Sequence, residues 1–235
     1  MATLSALARW AVITSLLSAI LFITAGNTEI PSLRDYVAVL SALLLFTMVA
    51  VDPELARERA CPAGRDIDPG SRTASGFLFL VTVIFAALDV GRLHQSDSVP
   101  YSWQLAAMMV FAAALILQAA AMIVNPFFSP ALRVQAERGH LVITRGPYRF
   151  LRHPGYLAML IALPASALAI GSWLALIPAT GFCLIIVRRA RKEDEFLKQN
   201  LSRYIDYMER VRGGLFPRLS AMGAATGVAR YPSMD

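Results

Sequence analysis

The chain has 235 residues, of which 57% are hydrophobic and only 16% are charged, and its mean hydropathy is +0.55. These values exclude an ordinary soluble domain, in which about 25% of residues are charged. The formal net charge of +6 is explained by membrane topology and attraction to anionic lipid, and nothing in the sequence indicates a nucleic-acid partner. We therefore predict an integral membrane protein.

Six membrane helices are predicted from the apolar stretches. Four of them lie in the first half of the chain, at 4–25, 33–51, 76–90 and 103–124. Residues 157–187 contain no charged side chain, and this segment is too long for one comfortable crossing of a ~30 Å hydrocarbon core and short for two full ones. Gly171 and Ser172 lie near its middle, where a tight reversal is expected. The predicted fold is all-α and polytopic, with a C-terminal helical hairpin and a cytoplasmic C-terminal helix.

The distribution of Lys and Arg predicts the orientation of these helices. With the N-terminus inside, every Lys and Arg except Arg34 and Arg92 falls in an inner segment. Basic residues are retained on the cytoplasmic side during insertion, so both termini are expected in the cytoplasm. Asp89 and Arg92 then flank the outer end of the third helix, where we expect them to act as interface anchors. Gln118, deep in the fourth helix, is expected to hydrogen-bond a neighbouring helix or to contact a substrate.

The chain divides into three parts. Residues 1–124 form the N-terminal membrane helices with an inner loop at 52–75, residues 125–217 form a core that carries the candidate site, and residues 218–235 are expected to be a disordered tail. Within the inner loop, Asp52-Pro53-Glu54 predicts the start of a short surface helix. We interpret this helix either as a solvated connector or as part of a substrate entrance or cover for the site.

Two polar clusters flank the predicted hairpin and emerge on the same side of the membrane. Before the hairpin lie Tyr148, Arg149, Arg152, His153 and Tyr156, and after it lie Arg191, Glu193, Asp194, Glu195, Tyr204 and Tyr207. Guanidinium, carboxylate and aromatic groups in this combination suit a zwitterionic ligand. The alternative is an exposed helix with i,i+4 pairs between Arg189 and Glu193 and between Arg191 and Glu195. Neither cysteine has a metal-ligand spacing with a histidine, and no metal site is expected.

From residue 125 to 217 the chain resembles the isoprenylcysteine carboxyl methyltransferase family of integral membrane methyltransferases, and the wider group that includes phospholipid methyltransferases. Five blocks in a specific order carry this resemblance: NPFF from Asn125, RGH from Arg138, RGPYRFLRHPGY from Arg145, the pair Glu193-Asp194, and YIDYMERV from Tyr204. The segment DPELARER from Asp52 is similar to the inner loop of bacterial members. The expected location is therefore a bacterial inner membrane.

The resemblance implies a site for S-adenosylmethionine between the RHPxY segment and the acidic pair, with no metal. Carried over residue by residue, the cofactor-binding set is Tyr148, Arg152, His153, Tyr156, Glu193 and Asp194, and the residues expected to serve catalysis are Arg152 and Glu193. Asp194 departs from the family pattern, in which a second Glu is usual. The implied reaction is an in-line displacement on a sulfonium methyl group, for which proximity and alignment contribute about 7 to 11 kcal/mol.

The resemblance also implies a lipophilic acceptor, either a small molecule or a lipid-modified substrate, that enters laterally from the bilayer. Arg149 or Arg152 is a candidate to steer a substrate carboxylate. Three alternatives remain open at this stage: methylation of a phospholipid amine, a sterol-reductase-like NADPH oxidoreductase, and a non-catalytic membrane scaffold. The sequence decides neither the atom that is methylated nor the oligomeric state.

Overall fold

The computed structural model describes residues 2–216. The tail 218–235, for which the sequence analysis expects disorder, lies outside the described residues. Within residues 2–216 the chain contains helices and no strand. The α-helices are α1 (Ala2–Ala25), α2 (Pro31–Ala50), α3 (Pro53–Ala60), α4 (Pro69–Leu88), α5 (Tyr101–Val124), α6 (Pro154–Ile170), α7 (Leu176–Asn200) and α8 (Tyr204–Arg210). The all-α prediction is confirmed.

Three short helical turns supplement these elements. A π-helical turn, Asp89–Leu93, extends α4, and 3-10 turns form at Ala136–Arg138 and Gly146–Arg149. The last of these begins with a glycine in the left-handed region, Gly146 with φ 58°, followed by Pro147, whose fixed φ suits the first position of a helical turn. Four residues separate this turn from the start of α6.

The polytopic membrane fold is also confirmed. Among the described residues, four helical stretches are long and apolar enough to cross a membrane: Ala6–Ala25, Pro31–Ala50, Pro69–Leu93 and Tyr101–Val124. The helix α6 has 17 residues, which corresponds to about 25 Å, and charged residues begin in α7 at Arg188. The two arms of the hairpin are therefore shorter apolar segments than the four helices that precede them.

The helices α6 and α7 form the predicted hairpin, and its turn begins where the sequence places it. Gly171 ends α6 with φ 117°, a left-handed conformation that glycine adopts without steric cost. The Ser172 hydroxyl donates a hydrogen bond to Asp89 Oδ2 at 2.6 Å, and the Ser32 hydroxyl donates to the Ile170 carbonyl at 2.8 Å. The turn is thus attached to the ends of two other membrane helices.

Asp89 does not act as an interface anchor, and that prediction is wrong. The residue is fully buried, and its carboxylate accepts hydrogen bonds from the Gln95 N–H at 2.9 Å, the Ser96 N–H at 3.2 Å, the Ser96 hydroxyl and the Ser172 hydroxyl. These donors replace the water that an ionised carboxylate would otherwise need. Arg92 does lie at the surface, where it donates to two carbonyls at the end of α1.

The helix α3 is confirmed, and one of its faces packs against the protein while the other is exposed. The Asp52 side chain caps it by accepting hydrogen bonds from the N–H groups of residues 54 and 55. Leu55 is fully buried, and the buried Glu58 carboxylate pairs with Arg133 through Nε at 3.1 Å and Nη2 at 2.9 Å. This ion pair ties α3 to the segment after α5, so the helix is more than a solvated connector. The helix covers one side of the central cavity described below.

Candidate functional site

A cavity of about 460 Å³ lies among α2, α4, α5, α6 and α7 and is bordered by α3, α8 and the segment after α5. Its deep part is lined by apolar and aromatic side chains, including Tyr36, Leu40, Phe79, Phe111, Leu163 and Phe182. Its mouth is lined by polar side chains, including Arg59, Arg133, His140, Arg152, His153 and Glu193. The volume lies within the range of about 300 to 1,000 Å³ that is typical of small-molecule sites.

The segment before α6 is held at this mouth by backbone and side-chain hydrogen bonds. The N–H of Arg152 donates to the Gly213 carbonyl at 3.0 Å, and the N–H of His153 donates to the Gly214 carbonyl at 3.2 Å. Both acceptors lie just beyond α8. A Cβ added to Gly214 would lie 3.2 Å from Arg152 Nη2, so a larger residue there would press on the Arg152 guanidinium.

Tyr148 is buried beneath the same segment. Its hydroxyl accepts a hydrogen bond from Asn125 Nδ2 at 3.0 Å, and its carbonyl accepts one from the Tyr207 hydroxyl at 2.7 Å. Burial raises the pKa of Tyr148 well above its usual value, which keeps the phenol neutral. The structure thereby joins Asn125, which begins the NPFF block, to the RHPxY block.

Asp194 organises the polar mouth from α7. It accepts two hydrogen bonds from Arg152, from Nε at 3.0 Å and from Nη2 at 2.8 Å, and one from the Tyr204 hydroxyl at 2.7 Å. His153 Nε2 lies 2.9 Å from the same carboxylate and must donate to it, because an ionised carboxylate only accepts. Burial alone would raise the pKa of Asp194, but hydrogen bonds from His153 and Arg152 outweigh it and hold that pKa well below its usual range.

The two acidic residues, Glu193 and Asp194, have different surroundings. Glu193 lines the cavity close to Tyr156, whereas Asp194 is not among the lining residues and faces Arg152 and His153. Of the six residues predicted to bind a cofactor, the cavity therefore gathers Tyr148, Arg152, His153, Tyr156 and Glu193 along its wall. Asp194 is not part of the cavity lining, but it is hydrogen-bonded to Arg152 and His153 and so orients both side chains.

The alternative interpretation of α7 as an exposed, salt-bridged helix is wrong. Arg189 is buried and donates to the Tyr156 hydroxyl at 3.0 Å, the Asp68 carbonyl at 3.1 Å and the Pro130 carbonyl at 2.6 Å. No ion pair joins Arg189 to Glu193 in the described part of the chain, and none joins the second predicted pair on this helix. Arg189 instead attaches α7 to α6 and to the ends of two loops.

Two other sequence expectations each named two options, and in each case only one option agrees with the cavity lining. Arg149 is exposed and is not among the lining residues. Gln118 lines the cavity, but its buried Oε1 has no hydrogen-bond partner among the described residues, so the predicted bond to a neighbouring helix is absent. Arg152 does line the cavity, although Nε and Nη2 are bound to Asp194 and Nη1 donates to a backbone carbonyl at 2.7 Å.

The sequence analysis did not assign a role to His140, which also lines the mouth. Its ring stacks on Phe127 with centroids 4.4 Å apart, and its Nδ1 accepts a hydrogen bond from the Gln135 N–H at 3.2 Å. Burial and the nearby charges of Arg133 and Arg138 lower the pKa of His140 to about 4. The RGH block was the one sequence feature that pointed to His140. The sequence does not show that its ring stacks on Phe127, because that contact depends on the tertiary structure.

Comparisons with known proteins support the resemblance over part of the chain. Residues 105–199 match the model of the isoprenylcysteine carboxyl methyltransferase (ICMT) family, and the resemblance is confirmed over that stretch. A probable protein-S-isoprenylcysteine O-methyltransferase from Oryza sativa subsp. indica is 32% identical over 116 residues, 46% of this chain and 58% of the relative.

Two further relatives are similar to part of the chain. Protein-S-isoprenylcysteine O-methyltransferase B from Arabidopsis thaliana is 30% identical over 96 residues, 37% of this chain and 46% of the relative. The nickel-cobalt-cadmium resistance protein NccN from Alcaligenes xylosoxydans xylosoxydans is 33% identical over 91 residues, 38% of this chain and 42% of the relative. The chain thus spans about half the length of the curated relatives it matches.

Proposed function

We propose that this chain, whose residues 105–199 match the isoprenylcysteine carboxyl methyltransferase family, transfers a methyl group from S-adenosylmethionine to a lipophilic acceptor in the membrane. One observation carries the proposal: the polar mouth formed by the RHPxY segment and α7 opens into an apolar interior between the membrane helices. A polar cofactor and an apolar acceptor can therefore meet in one cavity, which is what methyl transfer to a membrane-embedded molecule requires.

The residues at the mouth fit the cofactor by their chemistry. The Glu193 carboxylate suits an ammonium or a pair of ribose hydroxyls, and the rings of Tyr148 and Tyr156 suit a nearby cation. Bound there, S-adenosylmethionine would supply an electrophilic methyl group on a sulfonium. The chain itself supplies alignment: Asp194 fixes Arg152 and His153, and Arg189 fixes the Tyr156 hydroxyl. We infer cofactor-binding roles for Tyr148, Arg152, His153, Tyr156 and Glu193, and a positioning role for Asp194.

The acceptor is proposed to enter from the bilayer between α2 and α4. Both helices contribute to the cavity wall, through Tyr36 and Leu40 on α2 and through Gly76 and Phe79 on α4. Gly76 is exposed, and a Cβ added to it would meet no atom within 4 Å, so a larger side chain can be placed at this point of the wall. Since the rice and Arabidopsis relatives are named as isoprenylcysteine methyltransferases, we propose an acceptor with an isoprenyl-like chain, either a small molecule or a lipid-modified protein.

The cofactor is proposed to enter from the cytoplasm, with both termini on that side of a bacterial inner membrane. The retention of basic residues on the cytoplasmic side supports this orientation. Reporter fusions at the two termini test it. A periplasmic C-terminus would place the mouth of the cavity on a side without cytosolic cofactor and would overturn the proposed entry route.

Isotope transfer in membranes tests the reaction itself. Membranes that contain the protein are incubated with methyl-labelled S-adenosylmethionine, and the extracted lipids and proteins are treated with base. Label released as methanol identifies an ester, whereas label that resists base identifies methylation of nitrogen, sulfur or an ether oxygen. Membranes with the Glu193→Gln variant serve as the matched control. Equal labelling in both samples, and in membranes without the protein, would contradict the proposal.

A further inference from the structure

Three side chains from different helices close the deep end of the cavity and form its floor. Tyr36 on α2 and Phe111 on α5 are stacked, with ring centroids 4.9 Å apart and planes inclined by 28°. The Tyr36 hydroxyl donates a hydrogen bond to Ser166 Oγ on α6 at 3.3 Å, and the Ser166 hydroxyl donates to the Ala162 carbonyl at 2.8 Å. The exposed fractions of Tyr36, Phe111 and Ser166 are 0%, 2% and 1%. The floor is therefore tightly packed.

This floor lies at the end of the cavity opposite the polar mouth. On α6 the lining residues run from Gly155 at the mouth to Ser166, and on α5 no described residue before Phe111 lines the cavity. Leu33 and Ile170 belong to the same apolar cluster as the floor, are fully buried and are absent from the cavity wall. The cavity therefore ends inside the protein, short of the hairpin turn.

The separation between mouth and floor sets a length for an apolar ligand. Tyr156, which accepts a hydrogen bond from Arg189 at the mouth, and Ser166 lie on the same helix. The ten residues between these positions correspond to a rise of about 15 Å. An extended chain advances roughly 1.2 Å per bond, as the dimensions of an extended polypeptide show. A chain of about 12 bonds therefore spans this part of the cavity.

We propose that Tyr36 limits the length of the acceptor, so that the cavity takes one apolar chain of up to about 12 bonds and excludes longer chains. This inference rests on the proposed function. The Tyr36 ring is suited to this role because it is held from two sides, by the hydrogen bond to Ser166 and by the stacked Phe111 ring. The ring cannot rotate away from a longer chain without losing both contacts.

Binding of prenyl alcohols of three lengths to the purified full chain tests this limit. Geraniol, farnesol and geranylgeraniol share one hydroxyl head group, and the farnesyl chain, with four main-chain bonds per isoprene unit, matches the estimate of about 12 bonds. Affinities are measured in one fixed detergent by displacement of a fluorescent farnesyl probe. The proteins are wild type, Tyr36→Ala, Tyr36→Phe, Ala162→Leu and the control Phe85→Ala. Phe85 packs against the same apolar cluster but is absent from the cavity wall, so it controls for the loss of an interior ring.

Wild type is expected to bind farnesol roughly 5- to 150-fold more tightly than geranylgeraniol, because forcing extra carbons against a packed floor has the cost of overpacking a core. Tyr36→Ala should remove most of this preference, since it opens space at the floor. Tyr36→Phe keeps the ring and should retain the preference, as should Phe85→Ala. Ala162→Leu adds a side chain to the wall one turn nearer the mouth and should shift the preference towards geraniol.

Two results would overturn the inference: equal affinities of wild type for farnesol and geranylgeraniol, or an unchanged ratio of these affinities in a folded Tyr36→Ala protein. If Tyr36→Ala fails to fold, Ala162→Leu decides, and an unshifted preference in that variant also contradicts the proposal. S-adenosylmethionine binding is measured in the same samples. Its absence in wild type would reject the proposed reaction and leave the chain-length preference intact, so the two failures are distinguishable.

Discussion

The guanidinium of Arg152 and the carboxylate of Asp194, which lie 42 residues apart in the chain, form a two-point pair with N–O distances of 3.0 and 2.8 Å. This pair crosses from the start of α6 to the charged C-terminal half of α7. It therefore joins the two ends of the hairpin into one polar wall. The neighbouring Glu193 is left to face the cavity.

The first prediction concerns this pair. Asp194→Asn removes the charge that balances Arg152 and His153, and loss of one partner in a buried charged network costs at least about 1 to 3 kcal/mol. We expect a lower melting temperature and weaker S-adenosylmethionine binding. Asp194→Glu, which keeps the negative charge, should preserve binding. Thermal melts in one fixed detergent measure the stability, with Asp206→Asn on the exposed face of α8 as the control. A melting temperature equal to that of the control would contradict the proposed positioning role.

Glu193→Gln separates cofactor binding from stability. The change keeps the shape of the side chain and removes a carboxylate that lines the cavity. A charge-assisted hydrogen bond contributes about 1.5 to 3 kcal/mol, so S-adenosylmethionine binding should weaken roughly 10- to 150-fold. Calorimetric titration measures the affinity. Glu195→Gln, an exposed position on the same helix, should leave it unchanged. Unaltered affinity in a folded Glu193→Gln protein would remove Glu193 from the site.

His140 predicts how the free energy of unfolding depends on pH. Its pKa is lowered from 6.5 to about 4 in the folded protein, so the folded state binds fewer protons than the unfolded state between those values. The stabilisation from the neutral ring is complete above about pH 6.5 and is lost as the pH falls towards 4; it amounts to at most about 3 kcal/mol.

Melting temperatures of wild type and His140→Gln, compared from pH 4 to 8, measure this contribution. Wild type should exceed the variant most at neutral pH, and the difference should shrink as the pH falls. Other carboxylates that titrate at acid pH are common to both proteins and cancel in the comparison. A difference that stays constant over the whole range would show that His140 does not remain neutral in the folded state.

Gly76→Leu tests the lateral entrance between α2 and α4. The position is exposed, and a Cβ there would meet no atom within 4 Å. Replacing a glycine inside a helix also stabilises the helical conformation by about 0.5 to 1 kcal/mol. The variant should therefore fold and bind S-adenosylmethionine normally but label its acceptor more slowly. Gly70→Leu, which also meets open space at the start of α4 and is not on the cavity wall, is the matched control. Equal labelling rates would place the entrance elsewhere.

The sequence alone determined the class of fold and the segments that form the mouth. Long apolar stretches predict membrane helices because a bilayer excludes unpaired backbone groups, and Gly171 predicts the hairpin turn because a left-handed residue is needed there. The order of the NPFF, RGH and RHPxY blocks indicated the family. These inferences rest on local properties of the chain, which do not depend on how the helices pack against one another.

Only the tertiary structure decided which partner each charged side chain takes. Spacing along α7 suggests that Arg189 pairs with Glu193, yet burial against the loops gives Arg189 three other acceptors. The sequence likewise presents Glu193 and Asp194 as one acidic pair. Adjacent residues on a helix point about 100° apart, so Glu193 faces the cavity while Asp194 faces Arg152. The burial of Asp89 could not be predicted for a related reason: one of its donors, the Ser172 hydroxyl, lies 83 residues away in the chain, and local pattern does not encode that contact.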